Sequence, residues 1–171
     1  MSEGDGRPGE VYVDTNVYVY VALRHPEFGE LCARILRAVV SGELRAAGSD
    51  LVAIELLGSL ARVGPEVAEG ALEAYLAMPV RRLEIDERVL RAAALINGVV
   101  NVGYDAIHAA LMLLNGVGAV VTNDLGDWVR LAKRLTDVAS TIEEDEIQVR
   151  SRELAVISPR SFPRPVEVGS V

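Results

Sequence analysis

The stretch VYVDTNVYVYVAL, residues 11–23, decides the fold prediction. Its first three residues form a short apolar run that is typical of a buried strand and ends at Asp14. Residues 17–23 are predicted to be helical, although their β-branched side chains leave the type of element open. A buried strand that leads directly into a helix favours a parallel α/β arrangement.

The alternation of short strands and helices continues along the chain. Further strands are predicted over VRRLEI (80–85), GAVVTND (118–124) and LAVIS (154–158). Helices are predicted over 27–41, 50–62, 65–78, 86–96, 104–114 and 128–135. The polar and acidic stretch 137–153 predicts no clear element. This pattern predicts an α/β fold, namely a single domain with a short parallel β-sheet flanked by helices.

Composition narrows the class of protein. The chain has 171 residues, half of them apolar, which is enough for one domain with a sizeable core. No apolar run approaches the roughly 18 residues of a membrane span. The single cysteine, Cys32, excludes an internal disulfide framework and multi-cysteine zinc sites. We expect a cytoplasmic protein with no membrane partner, in which 1–9 is a disordered tail, 10–159 the domain and 160–171 a C-terminal tail.

Four carboxylates occupy apolar stretches of the sequence: Asp14, Glu55, Asp105 and Asp124. Asp14 and Asp124 follow predicted strands, and α/β folds place functional groups at the carboxyl ends of strands. Each acid also has a structural interpretation. Asp14 and Asp124 could cap helices, Asp105 could favour a helix dipole, and Glu55 could lie on a narrow exposed stripe.

Taken together, the four acids favour a metal site. They would repel one another if they converged, and no arginine lies in any of their four stretches. Hard divalent cations with oxygen ligands relieve such repulsion, and Mg²⁺ is usually held by a few carboxylates, water and phosphate oxygens. An acid-only pocket therefore indicates metal-assisted phosphodiester hydrolysis. On this basis Asp14→Asn and Asp105→Asn are both expected to abolish cleavage without a loss of stability.

The order of these motifs resembles the PIN-domain nucleases, and most of all the VapC-type toxins of toxin–antitoxin pairs. The motifs are DTN (14–16), a glutamate in an apolar helix, YDAIHAA (104–110) and TND (122–124), and the resemblance covers roughly residues 10–159. It implies an endoribonuclease that depends on Mg²⁺ or Mn²⁺ and leaves a 5′-phosphate and a 3′-hydroxyl. It also implies RNA as the substrate, a homodimer, and a small antitoxin partner that can place an arginine among the carboxylates.

The resemblance implies a role for each matched residue. Asp14, Glu55, Asp105 and Asp124 match the catalytic quartet. Asp14 and Asp105 would bind a first metal ion, and Asp124, with Asp127, would complete a second site. Glu55 would orient or deprotonate the attacking water. The small polar residues Thr15, Asn16 and Thr122 would hold the carboxylates or, for Thr15, touch a substrate phosphate. The turn TNDLGDW (122–128) is one residue longer than is common in VapC-like chains, so Asp127 departs from the pattern.

Several interpretations stay open. His108, three residues after Asp105, could be a general base or a structural residue behind the site. The net charge of −8 opposes nucleic-acid binding, so phosphate contacts would depend on local groups, for which the candidates are Arg24, Arg130, Lys133 and Arg134. Helices 27–40 and 65–78 could be core or a protein-binding groove. The alternative functions are a catalytically impaired PIN fold that binds protein or RNA, and a housekeeping nuclease of RNA maturation.

Overall fold

The computed structural model describes residues 9–168, and within them five strands form one parallel sheet. The strands are β1 (Glu10–Val13), β2 (Arg45–Ser49), β3 (Val80–Leu83), β4 (Ala119–Val121) and β5 (Ala155–Ile157). Their order is β3-β2-β1-β4-β5, so that β1 is central, with Tyr12 opposite Ala47 on one side and Val120 on the other. The predicted α/β fold is confirmed.

Eight helices flank the sheet in the described part of the chain. They are α1 (Thr15–Ala22), α2 (Gly29–Val40), α3 (Asp50–Leu60), α4 (Pro65–Ala77), α5 (Glu87–Val99), α6 (Asp105–Asn115), α7 (Leu125–Lys133) and α8 (Leu135–Glu144). α1 packs against α2, α3 and α4, whereas α5 packs against α6 and α8. None of these helices is long and apolar enough to span a bilayer.

Strand β2 was not predicted from the sequence. Its residues RAAGS include neither a β-branched nor an aromatic side chain, so that local propensity is low. It forms because β1 and β3 pair with it on both sides. Gly48 is needed in this strand, because a Cβ there would overlap the hydroxyl group of Tyr75, which donates to the Ser49 carbonyl.

The region after β4 also differs from the prediction. α7 begins at Leu125, directly after Asp124, rather than at Trp128, so Asp127 lies in the first turn of a helix. The stretch 137–153, for which no clear element was predicted, contains most of α8. This helix buries Val138, Ala139 and Ile142 and leaves its acidic side chains outside. The acidic composition of 143–146 therefore obscured an amphipathic helix.

The two predicted tails lie partly or wholly outside the described residues. Of the predicted N-terminal tail, only Gly9 is described. Residues 160–168 of the predicted C-terminal tail lie against the domain. Phe162 packs on the core, the Val166 amide donates to the Val156 carbonyl at 2.7 Å, and Arg160 forms an ion pair with Glu27.

The parallel sheet places the predicted acids at one edge. Val11, Tyr12 and Val13 of β1 are fully buried, and the chain leaves the core at Asp14. The Asp14 amide donates to the Val121 carbonyl at 3.0 Å, so the ends of β1 and β4 lie side by side. Functional groups of parallel α/β folds gather at this carboxyl edge.

Candidate active site

An open cleft lies at the carboxyl edge of the sheet, and the four predicted catalytic acids all line it. Its volume is about 460 Å³, and its lining includes Asp14, Thr15, Asn16, Tyr20, Glu55, Ser59, Asp105 and Asp124. These residues come from α1, α3, α6 and the segments that follow β1 and β4. No lysine or arginine of residues 9–168 belongs to this lining. The cleft is therefore an acidic pocket.

Asp14 is buried, with 4% of its surface exposed, and its carboxylate accepts four hydrogen bonds. Oδ1 accepts from the Thr15 amide at 2.7 Å, so Asp14 does cap α1, as the structural interpretation proposed. Oδ2 accepts from Thr122 Oγ1 at 2.7 Å, Asn16 Nδ2 at 3.0 Å and Trp128 Nε1 at 3.2 Å. Asp14 can therefore cap α1 and line the cleft at the same time, and its donors fix the orientation of the carboxylate.

Asn16 and Thr122 connect the two strand ends. Asn16 Oδ1 accepts from the Asn123 amide at 3.0 Å, and Thr122 Oγ1 accepts from the Asp124 amide at 3.0 Å. Trp128, the one tryptophan of the chain, was missed as a site residue. The sequence carries no signal for this role, because the acceptor of the indole N–H is Asp14, which lies 114 positions away and is brought to Trp128 only by the tertiary structure.

Glu55 of α3 contacts Thr15, the residue after Asp14, and a quarter of its side chain is exposed. Its Oε2 accepts from Thr15 Oγ1 and lies 2.9 Å from Nε2 of the fully buried His108. Ile54 and Leu57 beside it are exposed rather than buried, so Glu55 emerges on an apolar but accessible face of α3. Thr15, for which a phosphate contact was one possibility, contacts Glu55.

His108 and Glu55 shift each other's pKa through their hydrogen bond. Burial alone would raise the pKa of Glu55, but the hydrogen bonds from His108 and Thr15 lower it below its ordinary value. Burial opposes charge on His108 as well, yet its bond to Glu55 and the nearby carboxylates of Asp14 and Asp105 raise its pKa. Both ring nitrogens have partners, since Nδ1 lies 2.7 Å from the Tyr12 hydroxyl. The structure therefore places His108 behind the site rather than among the groups that face the cleft.

Asp105 and Asp124 line the other side of the cleft, and Asp127 lies next to them. One carboxylate oxygen of each lies within 4.8 Å of the other two, and Asp105 approaches Asp14 within the same limit. Burial, and after it the charge of Asp14, raises the pKa of Asp105 to about 7. Loss of hydration and the charge of Asp127 raise the pKa of Asp124. No side chain of the described residues donates a hydrogen bond to Asp105.

These groups fit divalent cations with oxygen ligands. Asp14 and Asp105 could share one ion, and Asp105, Asp124 and Asp127 a second. His108 lies within reach of the first position, but its Nε2 must carry a proton to bond a carboxylate and so is not a free ligand. Asp127 accepts from Arg130 at 2.7 Å, and this ion pair competes with a metal ion.

The four predicted phosphate contacts do not line the cleft. Arg130 is the nearest, and it also donates to the Asn101 carbonyl at 2.7 Å. Arg134 pairs with Asp137 at 2.7 Å. Lys133 is the last residue of α7, about 13 Å along the helix axis from Asp124, and Arg24 follows the end of α1, which is about 12 Å along that axis from Asp14. Their role in binding phosphate stays a prediction.

Comparisons with known proteins agree with this architecture. The family model described as PIN domain matches residues 11–134, which is most of the chain and includes every acid of the cleft. No curated protein matches. Among solved structures, VapBC2 from Rickettsia felis, bound to a DNA fragment from its promoter, is similar with a TM-score of 0.53 and 17% identity. The match covers 71% of this chain and 92% of that one, and at this identity it shows a shared fold.

Proposed function

The chain belongs to the PIN-domain family, and we propose that it is an endoribonuclease that depends on Mg²⁺ or Mn²⁺. One observation carries the proposal. Asp14, Glu55, Asp105 and Asp124, which span 110 positions of the sequence (124 − 14), line one open cleft. Carboxylates that gather in this way without a cationic partner at the centre favour divalent metal ions and, with them, phosphodiester chemistry.

The carboxylates divide into metal ligands and a group for the attacking water. In the proposal, Asp14 and Asp105 hold one ion, and Asp105 and Asp124, with Asp127, hold a second. A bound divalent ion offsets the negative charge that develops on the phosphate oxygens during hydrolysis. Asn16 and Thr122 keep Asp14 oriented, because metal sites depend on the groups that hydrogen-bond their ligands.

In the proposal, Glu55 binds and deprotonates the attacking water molecule. Its Oε2 is held by Thr15 and His108, so Oε1 is the oxygen that can orient a water molecule and accept its proton. The water oxygen bonds to phosphorus as the bond from phosphorus to the 3′ oxygen breaks. The leaving 3′ oxygen takes a proton from solvent. The products are then a 5′-phosphate and a 3′-hydroxyl.

Cleavage of a labelled single-stranded oligonucleotide tests this function. RNA and DNA of one sequence are incubated with Mg²⁺, Mn²⁺ or EDTA, and Asp105→Asn, purified identically, controls for contaminating nuclease. Metal-dependent cleavage of RNA that the variant loses supports the proposal. Equal cleavage of DNA would contradict the RNA specificity. Absence of cleavage and of metal binding would instead favour a PIN fold that serves as a binding module.

We further propose that a small antitoxin protein restrains the enzyme. The similar structure from Rickettsia felis is a VapBC complex, and this chain carries an apolar groove between α1, α2 and α4. The groove is lined by Tyr18, Val21, Ala22, Leu36, Val67, Ala71, Ala74 and Met78, among others. An apolar segment of the antitoxin would cover these side chains, which otherwise face water.

A small protein encoded beside this chain is the partner to test. We expect it to bind and to inhibit cleavage, and Ala71→Arg within the groove to weaken both effects. Glu69→Arg introduces the same side chain on the exposed face of α4 and is the matched control. Cleavage that no such neighbour inhibits would favour the housekeeping nuclease of RNA maturation.

Homodimerisation is also part of the proposal. Leu90 and Tyr104 are 52% and 70% exposed beside an apolar hollow that α5 and α6 form with Ala93 and Ile107. Exposed apolar patches of this kind are typical of interfaces. Light scattering of the purified protein should give twice the mass of 18.4 kDa, and Leu90→Glu should return the mass of one chain.

A further inference from the structure

A buried chain of hydrogen bonds runs from Glu55 into the core, and the proposed reaction assigns no role to its inner members. His108 Nε2 lies 2.9 Å from Glu55 Oε2, and His108 Nδ1 lies 2.7 Å from the Tyr12 hydroxyl. The same hydroxyl is 2.8 Å from Ser49 Oγ. Ser49, Tyr12 and His108 are all 0% exposed. Buried polar groups are costly to leave unpaired, so this chain holds its members in fixed positions.

We propose that His108 is a positioning residue for Glu55, and that Tyr12 and Ser49 fix the imidazole ring from behind. The inference rests on the proposed function, because it gives these residues a part in the same reaction. Their elements make the arrangement rigid: Tyr12 lies in the central strand, Ser49 ends β2, and His108 lies in α6 one turn after Asp105. The rings of Tyr12 and His108 also pack together, with centroids 5.4 Å apart.

The hydrogen bond between His108 and Glu55 has the same direction whether the imidazole ring is neutral or protonated. A carboxylate only accepts, so Nε2 must donate to Glu55. With a neutral ring, Ser49 donates to Tyr12 and Tyr12 donates to Nδ1. With a protonated ring, Nδ1 donates to Tyr12 and Tyr12 donates to Ser49. In both cases every polar atom from Glu55 to Tyr12 has a partner, and Nε2 donates to Glu55.

As a consequence, hydrogen bonds from two helices hold the Glu55 carboxylate in one orientation. Thr15 of α1 and His108 of α6 both donate to Oε2 of Glu55. A glutamate on its own has several rotamers, and fixing one of them in advance is what orients a reacting group. Oε1 then faces the position of the attacking water. Because His108 shares α6 with Asp105, the same helix positions a metal ligand and the water-binding acid.

Three variants test the role of this chain of hydrogen bonds. Tyr12→Phe removes one hydroxyl group, His108→Phe removes both ring nitrogens, and His108→Gln keeps an N–H that can reach Glu55. Ile142→Val is the control for a small change in the core, because Ile142 is a fully buried residue of α8 that belongs neither to these hydrogen bonds nor to the cleft lining. Each variant is compared per folded molecule, with kcat and KM for RNA and the Mn²⁺ concentration that half-saturates thermal stabilisation.

We expect kcat to fall about tenfold in Tyr12→Phe and about 100-fold in His108→Phe, with His108→Gln between wild type and His108→Phe. KM and the Mn²⁺ midpoint should stay within about twofold, and Ile142→Val should match the wild type. An unchanged kcat in Tyr12→Phe and His108→Gln would overturn the inference. Loss of Mn²⁺ stabilisation together with activity would overturn it too, because His108 would then serve the metal site.

A structural readout separates this inference from the proposed function. Crystal structures of wild type and His108→Gln should show Glu55 in one conformer, and those of Tyr12→Phe in more than one. If the wild type does not cleave RNA, the proposed function fails on that result alone. If Glu55 keeps its conformer in Tyr12→Phe, the positioning role fails even when the wild type is an active nuclease.

Discussion

The two sides of the cleft carry similar carboxylates in opposite surroundings. On the donor-rich side, Asp14 accepts four hydrogen bonds and Glu55 accepts two. On the acidic side, Asp105 receives none from the described side chains and faces Asp124 and Asp127. The pKa values follow this division, because donors lower the pKa of Glu55, while burial and like charge raise that of Asp105 to about 7.

This difference indicates that the carboxylates on the two sides of the cleft are stabilised in different ways. Hydrogen-bond donors hold the carboxylates of the donor-rich side in place without a metal ion. The acidic side lacks such compensation, and a divalent cation would supply it. A bound metal ion should therefore stabilise the acidic side most, and substitutions on the two sides should have opposite effects on stability.

Among the predicted substitutions, Asp105→Asn should have the largest effect on cleavage. We expect cleavage to fall by about 10³-fold or more, because the substitution removes the ligand that both proposed metal positions share. The melting temperature of the metal-free variant at pH 8 should rise, because a carboxylate that is costly to ionise is gone. Differential scanning fluorimetry in EDTA measures it. A strong destabilisation would show that Asp105 serves mainly as a structural residue at the start of α6.

The pH dependence of stability should show the cost of ionising Asp105. Its pKa is about 7 in the folded protein and about 3.9 when unfolded, so between these values the folded state binds more protons. The free energy of unfolding in EDTA should therefore fall as pH rises from 4 to 7, by on the order of a few kcal/mol.

Urea unfolding at several pH values measures this dependence. Asp105→Asn should flatten the curve, and saturating Mn²⁺ should restore most of the stability that the wild type loses at high pH. A wild-type curve in EDTA that is already flat from pH 4 to 7 would argue against the raised pKa of Asp105.

Asp14→Asn should lower the stability of the folded protein, whereas Asp105→Asn should raise it. An amide has only one oxygen, so its NH2 group faces either the Thr15 amide at the Oδ1 position or the three donors at the Oδ2 position, and at least one donor loses its partner. We expect a loss of about 1–3 kcal/mol with or without metal, measured by urea unfolding. The hydrogen bonds thus separate two acids that the sequence alone predicted to behave alike. Equal or greater stability than wild type would remove the distinction between the two sides.

Among the predicted substitutions, Arg130→Gln should have the smallest effect on stability. The ion pair with Asp127 is exposed, so its loss should change stability by less than about 1 kcal/mol. If Asp127 is a metal ligand, its release should lower the Mn²⁺ midpoint by a few-fold, as thermal shifts would show. Arg134→Gln, which disrupts a similar pair further along α7, is the control. Identical midpoints in the two variants would place Asp127 outside the metal site.

Much of the site was predictable because each acid contrasts with its local sequence. Asp14 and Asp124 follow apolar strands, and Glu55 and Asp105 stand in apolar helices, so the four positions can be found residue by residue. Strand β2 and helix α8 could not be found in this way. RAAGS becomes a strand only between two neighbours, and α8 is amphipathic despite its acidic end.

The sequence by itself determined the alternation of strands and helices and the identity of the acids, because both depend on patterns a few residues long. The tertiary structure alone decided which acids have donors. Trp128 reaches Asp14 across 114 positions, and His108 reaches Glu55 across 53. It also decided that Arg130 binds Asp127 rather than lining the cleft. Such contacts depend on how distant elements pack, and the ionisation of a buried carboxylate depends on all of its neighbours at once.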